Sequence, residues 1–364
     1  MKIFCLVILI LFACAVGYLN LPKFGSLPDA ISMEKINKSP NYHDGKFHNS
    51  VETPTMTSNK NFFSTMWDLW FGSHHNKRPG KIMPANKIDL RRLKPDKDVL
   101  VWFGHSSYFI QLKGLRYLID PVFSDNASPI PYNVIPFQGT NIYNVENLPD
   151  IDYLFITHDH YDHLDYETIK KLRPKVKQVI APLGVGSHLR AWGYNKEKVH
   201  ELDWNQTFVL ADLDIVCLPA RHFSGRSLWR NKSLWASFLI KTWGYTIYIG
   251  GDSGYGEHYA AIGEKYPDID LALLENGQYD DNWRYIHEHP HEFVQAAKDL
   301  KAKKVIPVHN SKFTISNHAW YEPLDKVYEL SKDQPFTLLT PRIGEIVNLK
   351  NDEQTFMRWW DAIK

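Results

Sequence analysis

Thr157-His158-Asp159-His160-Tyr161-Asp162-His163 follows directly on the apolar run Ile151-Asp152-Tyr153-Leu154-Phe155-Ile156. A run of that length predicts a buried strand. The seven residues after it then fall on the loop at the strand's end, where side chains converge on one point. They hold three imidazoles and two carboxylates. Neutral imidazole nitrogen and carboxylate oxygen are good ligands for Zn2+ and similar ions. Five donors are too many for one tetrahedral site that keeps an open position. They suit two adjacent metals, with further ligands arriving from elsewhere. The bland alternative is a solvated loop rich in histidine.

Ligand-type residues close other apolar runs in the same way. His222 follows Ile215-Val216-Cys217-Leu218-Pro219-Ala220-Arg221, Asp252 follows Ile247-Tyr248-Ile249-Gly250-Gly251, and His309 follows Val305-Ile306-Pro307-Val308. One strand-end histidine is usually structural; four such clusters in one chain are a pattern. The paired glycines before Asp252 allow close backbone approach, as a carboxylate bridging two ions requires.

The composition narrows the classes. The 364 residues are 44% hydrophobic, and 42 basic against 41 acidic residues leave a net charge of +1. Nothing there draws the chain to nucleic acid through phosphate neutralisation. The cysteines are Cys5, Cys14 and Cys217, so neither a disulfide framework nor a cysteine zinc site is on offer. Any metal site is built from His, Asp and Glu.

Residues 3–19 carry no charge and just reach the lower limit for a transmembrane helix. Three readings compete: a cleaved signal peptide with Ala13-Cys14-Ala15 as its cleavage site, a lipoprotein box at Leu11-Phe12-Ala13-Cys14, and an uncleaved signal anchor, which is preferred. All three place the protein at or beyond a membrane, with the catalytic domain on the exported side. The expected division is 1–19 anchor or signal, 20–95 an extension on or near the core, 96–350 the catalytic domain and 351–364 a tail. The aromatic run Asn61-Phe62-Phe63-Ser64-Thr65-Met66-Trp67-Asp68-Leu69-Trp70-Phe71 predicts a short helix, docked on the core or lying at a membrane interface.

From Asp98 onward short strands dominate: 99–103, 107–112 and 115–119, then a Pro- and Asn-rich loop over 121–149 of the kind that is usually functional. Strands at 176–181, 208–210, 213–218, 235–242, 246–249, 271–274 and 304–308 alternate with helices at 166–172, 186–192, around Ile262, 291–300 and 321–330. His188 falls on one of these helices, outside every motif. The order predicts an α/β chain built as an αββα sandwich.

The motifs Gly104-His105-Ser106-Ser107, Asp120-Pro121-Val122-Phe123-Ser124, Thr157 to His163, Glu201-Leu202-Asp203-Trp204, Pro219-Ala220-Arg221-His222, Gly251-Asp252-Ser253-Gly254 and Pro307-Val308-His309 together resemble the metallo-β-lactamase-fold hydrolases. Within them the chain is similar to the N-acylphosphatidylethanolamine-hydrolysing phospholipase D group and its membrane-anchored bacterial relatives. The resemblance implies that His158, His160 and His222 hold one metal, that Asp162, His163 and His309 hold a second, and that Asp252 bridges them. It makes Asp120 an orienting carboxylate and sets Tyr161 and His287 against the substrate phosphate. His287 is chosen among neighbouring histidines because the family's His-x-x-Pro-x-Glu pattern fits His287, Pro290 and Glu292. The chain departs from the lipase-type members at Asn276-Gly277-Gln278-Tyr279 and at Pro131, both near the expected pocket. The implied cofactors are two Zn2+ per chain, with Mn2+ or Fe2+ as alternatives. The implied reaction is phosphodiester hydrolysis by a metal-bridging hydroxide, on an N-acylphosphatidylethanolamine-type phospholipid at a membrane surface. The competing readings are a lactonase, a soluble phosphodiesterase and a non-catalytic envelope protein.

Overall fold

The computed structural model describes residues 1–58, 62–72, 75–210 and 212–364; Asn61 of the aromatic run lies outside them. Two seven-stranded sheets pack face to face. The first runs in the order Ile346–Asn348, Val99–Trp102, Tyr108–Leu112, Leu115–Ile119, Ile151–Phe155, Val176–Pro182, Val199–Leu202. The second runs Thr337–Leu338, Lys304–Val308, Leu271–Glu275, Tyr245–Ile249, Ser237–Thr242, Leu213–Leu218, Thr207–Leu210. Each sheet is an antiparallel meander continued by parallel strands. Parallel neighbours need crossovers. The helices Tyr166–Leu172 and Val185–Ala191 supply them on one outer face, and His258–Lys265, Pro290–Asp299 and Glu322–Leu330 on the other. The result is the αββα sandwich, and the two halves repeat one layout that the diverged sequence does not display.

The inner layer explains the continuous apolar runs. Leu271–Glu275 and Lys304–Val308 are buried along their whole length, as strands covered on both faces must be. Phe155 and Phe238 meet across the sheets at 5.4 Å between ring centroids, amid Ile110, Ile240, Leu273 and Ile306. Three strands of the two sheets have no clear sequence signal, one of them the two-residue Thr337–Leu338. Val199–Leu202 alternates with a histidine and a glutamate, and the glutamate faces inward. Ile346–Asn348 is only three residues long.

The flanking segments are packed. The helix Ala30–Ile36 starts on an Asp29 cap that accepts the Ser32 N–H, and Ile36 and Phe47 join the core between the sheets. At the other end, Trp360 is fully buried and donates to Asp325 at 2.8 Å. The helix Phe62–Phe71 buries Thr65 and leaves Trp67 and Phe71 exposed. The helix Lys2–Leu19 buries none of its residues and is long and apolar enough to cross a membrane.

Candidate metal centre

The site lies at the carboxyl ends of the strands of both sheets, where open α/β sheets place their ligands. Asp120 follows Leu115–Ile119, the histidine cluster follows Ile151–Phe155, Asp252 follows Tyr245–Ile249, and His309 follows Lys304–Val308. Turning so abruptly out of a strand strains the backbone. His105, Asp120 and His309 hold φ values of 53°, 40° and 65°, a region that costs a non-glycine residue about 1–3 kcal/mol and collects at functional sites. Gly251 turns at φ 62°, and a Cβ there would stand 2.9 Å from the Thr157 Cβ. Only glycine brings Asp252 against the histidine loop.

Around one point stand His158 Nε2, His160 Nδ1, His222 Nε2 and Asp252. His160 Nδ1 is 2.9 Å from His158 Nε2 and 3.2 Å from His222 Nε2. Asp252 Oδ2 is 3.8 and 3.7 Å from the same two Nε2 atoms. A tetrahedral cation with bonds of 2.0–2.1 Å spaces its ligands about 3.3 Å apart, and these spacings bracket that value. The tautomers agree. His222 Nδ1 donates to the Ile286 carbonyl at 2.9 Å, which leaves Nε2 with its lone pair. Thr157 Oγ1 donates to Asp120, so its contact with His158 Nδ1 has the imidazole as donor, and the His158 Nε2 is free as well.

A second group gathers His105, Asp162, His163 and His309. Asp252 Oδ1 faces it, 3.2 Å from His163 Nε2 and 3.1 Å from His309 Nδ1. His163 Nδ1 donates to Asp120 Oδ2 at 2.8 Å, and Asp120 is fixed in turn by the Thr157 N–H at 2.8 Å. That is the carboxylate–histidine arrangement found behind metal ligands. His163 Nε2 and Asp252 Oδ1 are buried without a hydrogen-bond partner. Buried polar atoms are rarely left so, and a cation between them satisfies both. The residues therefore fit metal.

The electrostatics point the same way. Burial pushes His158, His222 and His309 well below the usual histidine range, so they are neutral lone-pair donors. Burial alone would raise Asp252, but His163 and His309 hold it well below the usual carboxylate range. Burial also pulls His163 down, yet Asp252, Asp162 and Asp120 outweigh it and hold that group well above its ordinary value. The centre carries an excess of negative charge that a cation relieves.

Sequence reasoning missed several partners. His105 Nε2 binds Asp162 Oδ2 at 2.8 Å; its motif was visible, its role was not. Glu275, the last residue of its strand, is buried, with Oε2 2.6 Å from His287 Nδ1 and Oε1 accepting the Ser253 N–H at 2.7 Å. Asn49, from the N-terminal extension, clasps the backbone of His222 through both its amide atoms, at 2.8 and 3.1 Å. Asp159, the non-converging acid of the loop, accepts from Gly225 N–H and Ser233 Oγ, both at 2.7 Å, and meets His188 Nε2 at 3.2 Å. His188 is thus tied to the loop's support.

The donors floor a cavity of about 410 Å³ whose walls include Leu69, Pro129, Phe223, Trp283 and Ile315. His287 lines it, its ring stacked on His309 at 5.2 Å. Tyr161 lines it too, but its hydroxyl donates to the Arg226 carbonyl and the Arg226 guanidinium lies 4.1 Å above its ring. The hydroxyl expected to meet phosphate is committed to the backbone.

Residues 115–310 match the family described as "Beta-lactamase superfamily domain". A protein of Mycobacterium tuberculosis is 36% identical over 340 residues, 91% of this chain and 90% of its own length. The N-acyl-phosphatidylethanolamine-hydrolyzing phospholipase D 1 of Caenorhabditis elegans is 32% identical over 271 residues, 67% of this chain and 74% of the worm protein. Among solved structures Igni18, a metallo hydrolase of the archaeon Ignicoccus hospitalis, shares the fold with a TM-score of 0.53 at 22% identity, over 69% of this chain and 97% of that one. Sheet order, donor clusters and sequence agree, and the chain belongs to the β-lactamase superfamily as a metal-dependent hydrolase of the metallo-β-lactamase fold.

Proposed function

We propose that this hydrolase cleaves a phosphodiester with two zinc ions, and that its substrate is a phospholipid of the N-acylphosphatidylethanolamine type. His158, His160 and His222 would hold one ion and Asp162, His163 and His309 the other, with the Asp252 carboxylate placed between the two groups. The observation that carries this is the division of Asp252, whose Oδ2 faces the first group and whose Oδ1 faces the second. The apolar cavity wall and the worm relative's named activity support the lipid.

When bound, such a pair of ions supplies an activated water and draws charge from a phosphoryl oxygen. The chain's own residues position and exclude. Asp120 and Thr157 lock His163 and His158 in the lone-pair tautomer. Burial holds Glu275 in its neutral acid form, so its O–H donates to His287 Nδ1 and leaves the other ring nitrogen as an N–H turned to the cavity, a donor for a phosphoryl oxygen. Leu69, Phe223, Trp283 and Ile315 keep bulk water from the reacting centre and take up hydrocarbon. The helix Lys2–Leu19 keeps the domain at the membrane that holds the substrate.

The test is a panel of phospholipids, soluble phosphodiesters and lactones incubated with zinc-loaded protein, with products read by mass spectrometry. Release of an N-acylethanolamine and a phosphatidate is expected, with close to two metal equivalents bound. Turnover of lactones alone would transfer the site to a lactonase. Silence on every substrate with metal bound would leave a non-catalytic envelope protein.

A further inference from the structure

The apolar helix Lys2–Leu19 is joined to the cavity without a loose linker. Tyr18 Oη and Lys23 Nζ both donate to the Pro129 carbonyl, at 2.5 and 2.6 Å, and Pro129 is part of the cavity wall. The Lys23 carbonyl accepts two bonds from Arg226, at 3.2 and 2.8 Å. Arg226 is itself buried and reaches on to the carbonyls of Asp159 and Leu164, at 2.8 and 2.6 Å, and so into the ligand loop. Trp192 Nε1 donates to the Pro22 carbonyl at 2.8 Å, and Arg190 forks the Asp29 carboxylate at 2.6 and 2.8 Å. The Phe24 ring fills the gap between Tyr18 and Tyr161. The direction in which the helix leaves the protein is therefore fixed relative to the cavity.

Large exposed side chains cluster around that same mouth. Tyr132 is 89% exposed, on the loop that carries the cavity residues Pro129 and Val134. Leu228 and Trp229 are 75% and 61% exposed, between the cavity residues Gly225 and Arg230. Trp67 and Phe71 are 67% and 65% exposed, with touching rings, on the helix whose Leu69 lines the cavity. The opposite pole differs. Lys177 and Lys303 stand there in ion pairs with Asp152 and Asp270, at the amino ends of parallel strands that run toward the site's side of the sheets. At about 3.3 Å per residue, Lys303 is roughly 20 Å from His309.

Scattered exposed apolar residues mean little, but a contiguous patch marks an interaction surface. Tryptophan and tyrosine suit the level of lipid headgroups, with an apolar body and a polar tip. We propose that Trp67, Phe71, Tyr132, Leu228 and Trp229 form a rim seated in the interfacial layer of the membrane that the helix enters, with residues 18–29 as a rigid strut, so that the cavity opens onto lipid. A bilayer, not a second copy of the chain, is the occupant. The rim is continuous with an 18-residue helix that carries no charge beyond Lys2 and buries none of its side chains. The inference takes its purpose from the lipid-hydrolase reading but not its test.

The test uses the full-length protein in phosphatidylcholine–phosphatidylglycerol vesicles carrying a doxyl-labelled lipid. Cys5→Ser and Cys14→Ser remove the exposed thiols, and Cys217 is buried. A fluorescent thiol probe is placed by Tyr132→Cys, Trp229→Cys, Lys177→Cys or Lys303→Cys, one at a time. Quenching several-fold stronger at 132 and 229 than at 177 and 303 is expected. Equal quenching at all four positions, or none at the rim, would show a loose tether and overturn the proposal. Rim probes that are shielded in proportion to protein concentration, without lipid quenching, would assign the patch to a second copy and overturn it too. The expected quenching in a protein that cleaves no phosphodiester would uphold the orientation and remove only the substrate reading.

Discussion

Replacing Glu275 by Gln separates positioning from structure in this site. Glu275 Oε2 sits 2.6 Å from His287 Nδ1 in full burial. Burial first, and the Asp252 charge second, push the Glu275 carboxyl well above the usual carboxylate range. In that neutral form the carboxyl O–H donates to His287 Nδ1, whereas the Gln side chain keeps the volume but holds the ring only through a weaker amide N–H. A hydrogen bond between neutral groups contributes about 0.5–1.5 kcal/mol. The upper end of that range, on the order of 1.4 kcal/mol, is a factor of about ten in rate. Supporting residues around metal sites typically bring losses of about 10–100-fold, which sets the upper bound. Stability should move the other way or not at all, because an uncomfortable buried acid has been removed. Turnover of a water-soluble short-chain phosphodiester, metal content and melting temperature are measured on Glu275→Gln, His287→Asn and the double variant. The expected result is a tenfold loss in Glu275→Gln with full metal content, and a double variant no worse than His287→Asn alone. Additive losses, or metal lost along with activity, would refute the reasoning.

Asp252→Asn keeps the fold but removes the charge shared by both donor groups, so metal content should drop and activity fall by about 100-fold or more; elemental analysis and turnover check it. His188→Ala, which the sequence alone marks as a harmless control, leaves Asp159 short of a partner and the Ser26 N–H without its acceptor, and should cost about 1–3 kcal/mol in thermal or denaturant unfolding. A chain beginning at Ser39 loses Phe24 and Ile36, 8% and 0% exposed, or about 3–6 kcal/mol of burial, whereas one beginning at Asn20 retains both; their melting temperatures should differ by many degrees. Asp29 is held down to about 2 by the Arg190 guanidinium. A depressed carboxylate stabilises above its unfolded value of about 3.9 and loses that stabilisation as pH falls through about 2. With a third of the side chain in solvent the contribution is about 1 kcal/mol after screening, and Asp29→Asn should flatten that part of the acid limb in unfolding experiments between pH 5 and 2.

The donors were legible because of where they stand. A strand buried on both faces reads as an unbroken apolar run, and the first polar residues past its end are conspicuous; His158, Asp252 and His309 all announce themselves that way. Their supports do not. Glu275 looks like the ordinary end of Leu271-Ala272-Leu273-Leu274-Glu275, and its meaning depends on His287, beyond the strand in an irregular turn. Asn49 is one polar residue in a polar stretch until its amide is found on both backbone atoms of His222.

The N-terminal segment shows the limit most clearly. Its clasp on the site is made largely to the carbonyls of Pro22, Lys23 and Pro129. A carbonyl is the same group in every residue, so no composition or spacing encodes the contact, and residues 20–95 read only as an extension on or near the core. The side chains that complete it, Tyr18, Trp192 and Arg226, are unremarkable where they stand in the chain. Yet Arg226 bonds the strut and the ligand loop with a single guanidinium. Movement of the anchor is therefore transmitted to the backbone around Asp159 and Leu164, which flanks the ligands. A substitution such as Arg226→Met, four residues beyond His222 and at a side chain that bonds only backbone carbonyls, should loosen the anchor and the metal loop together.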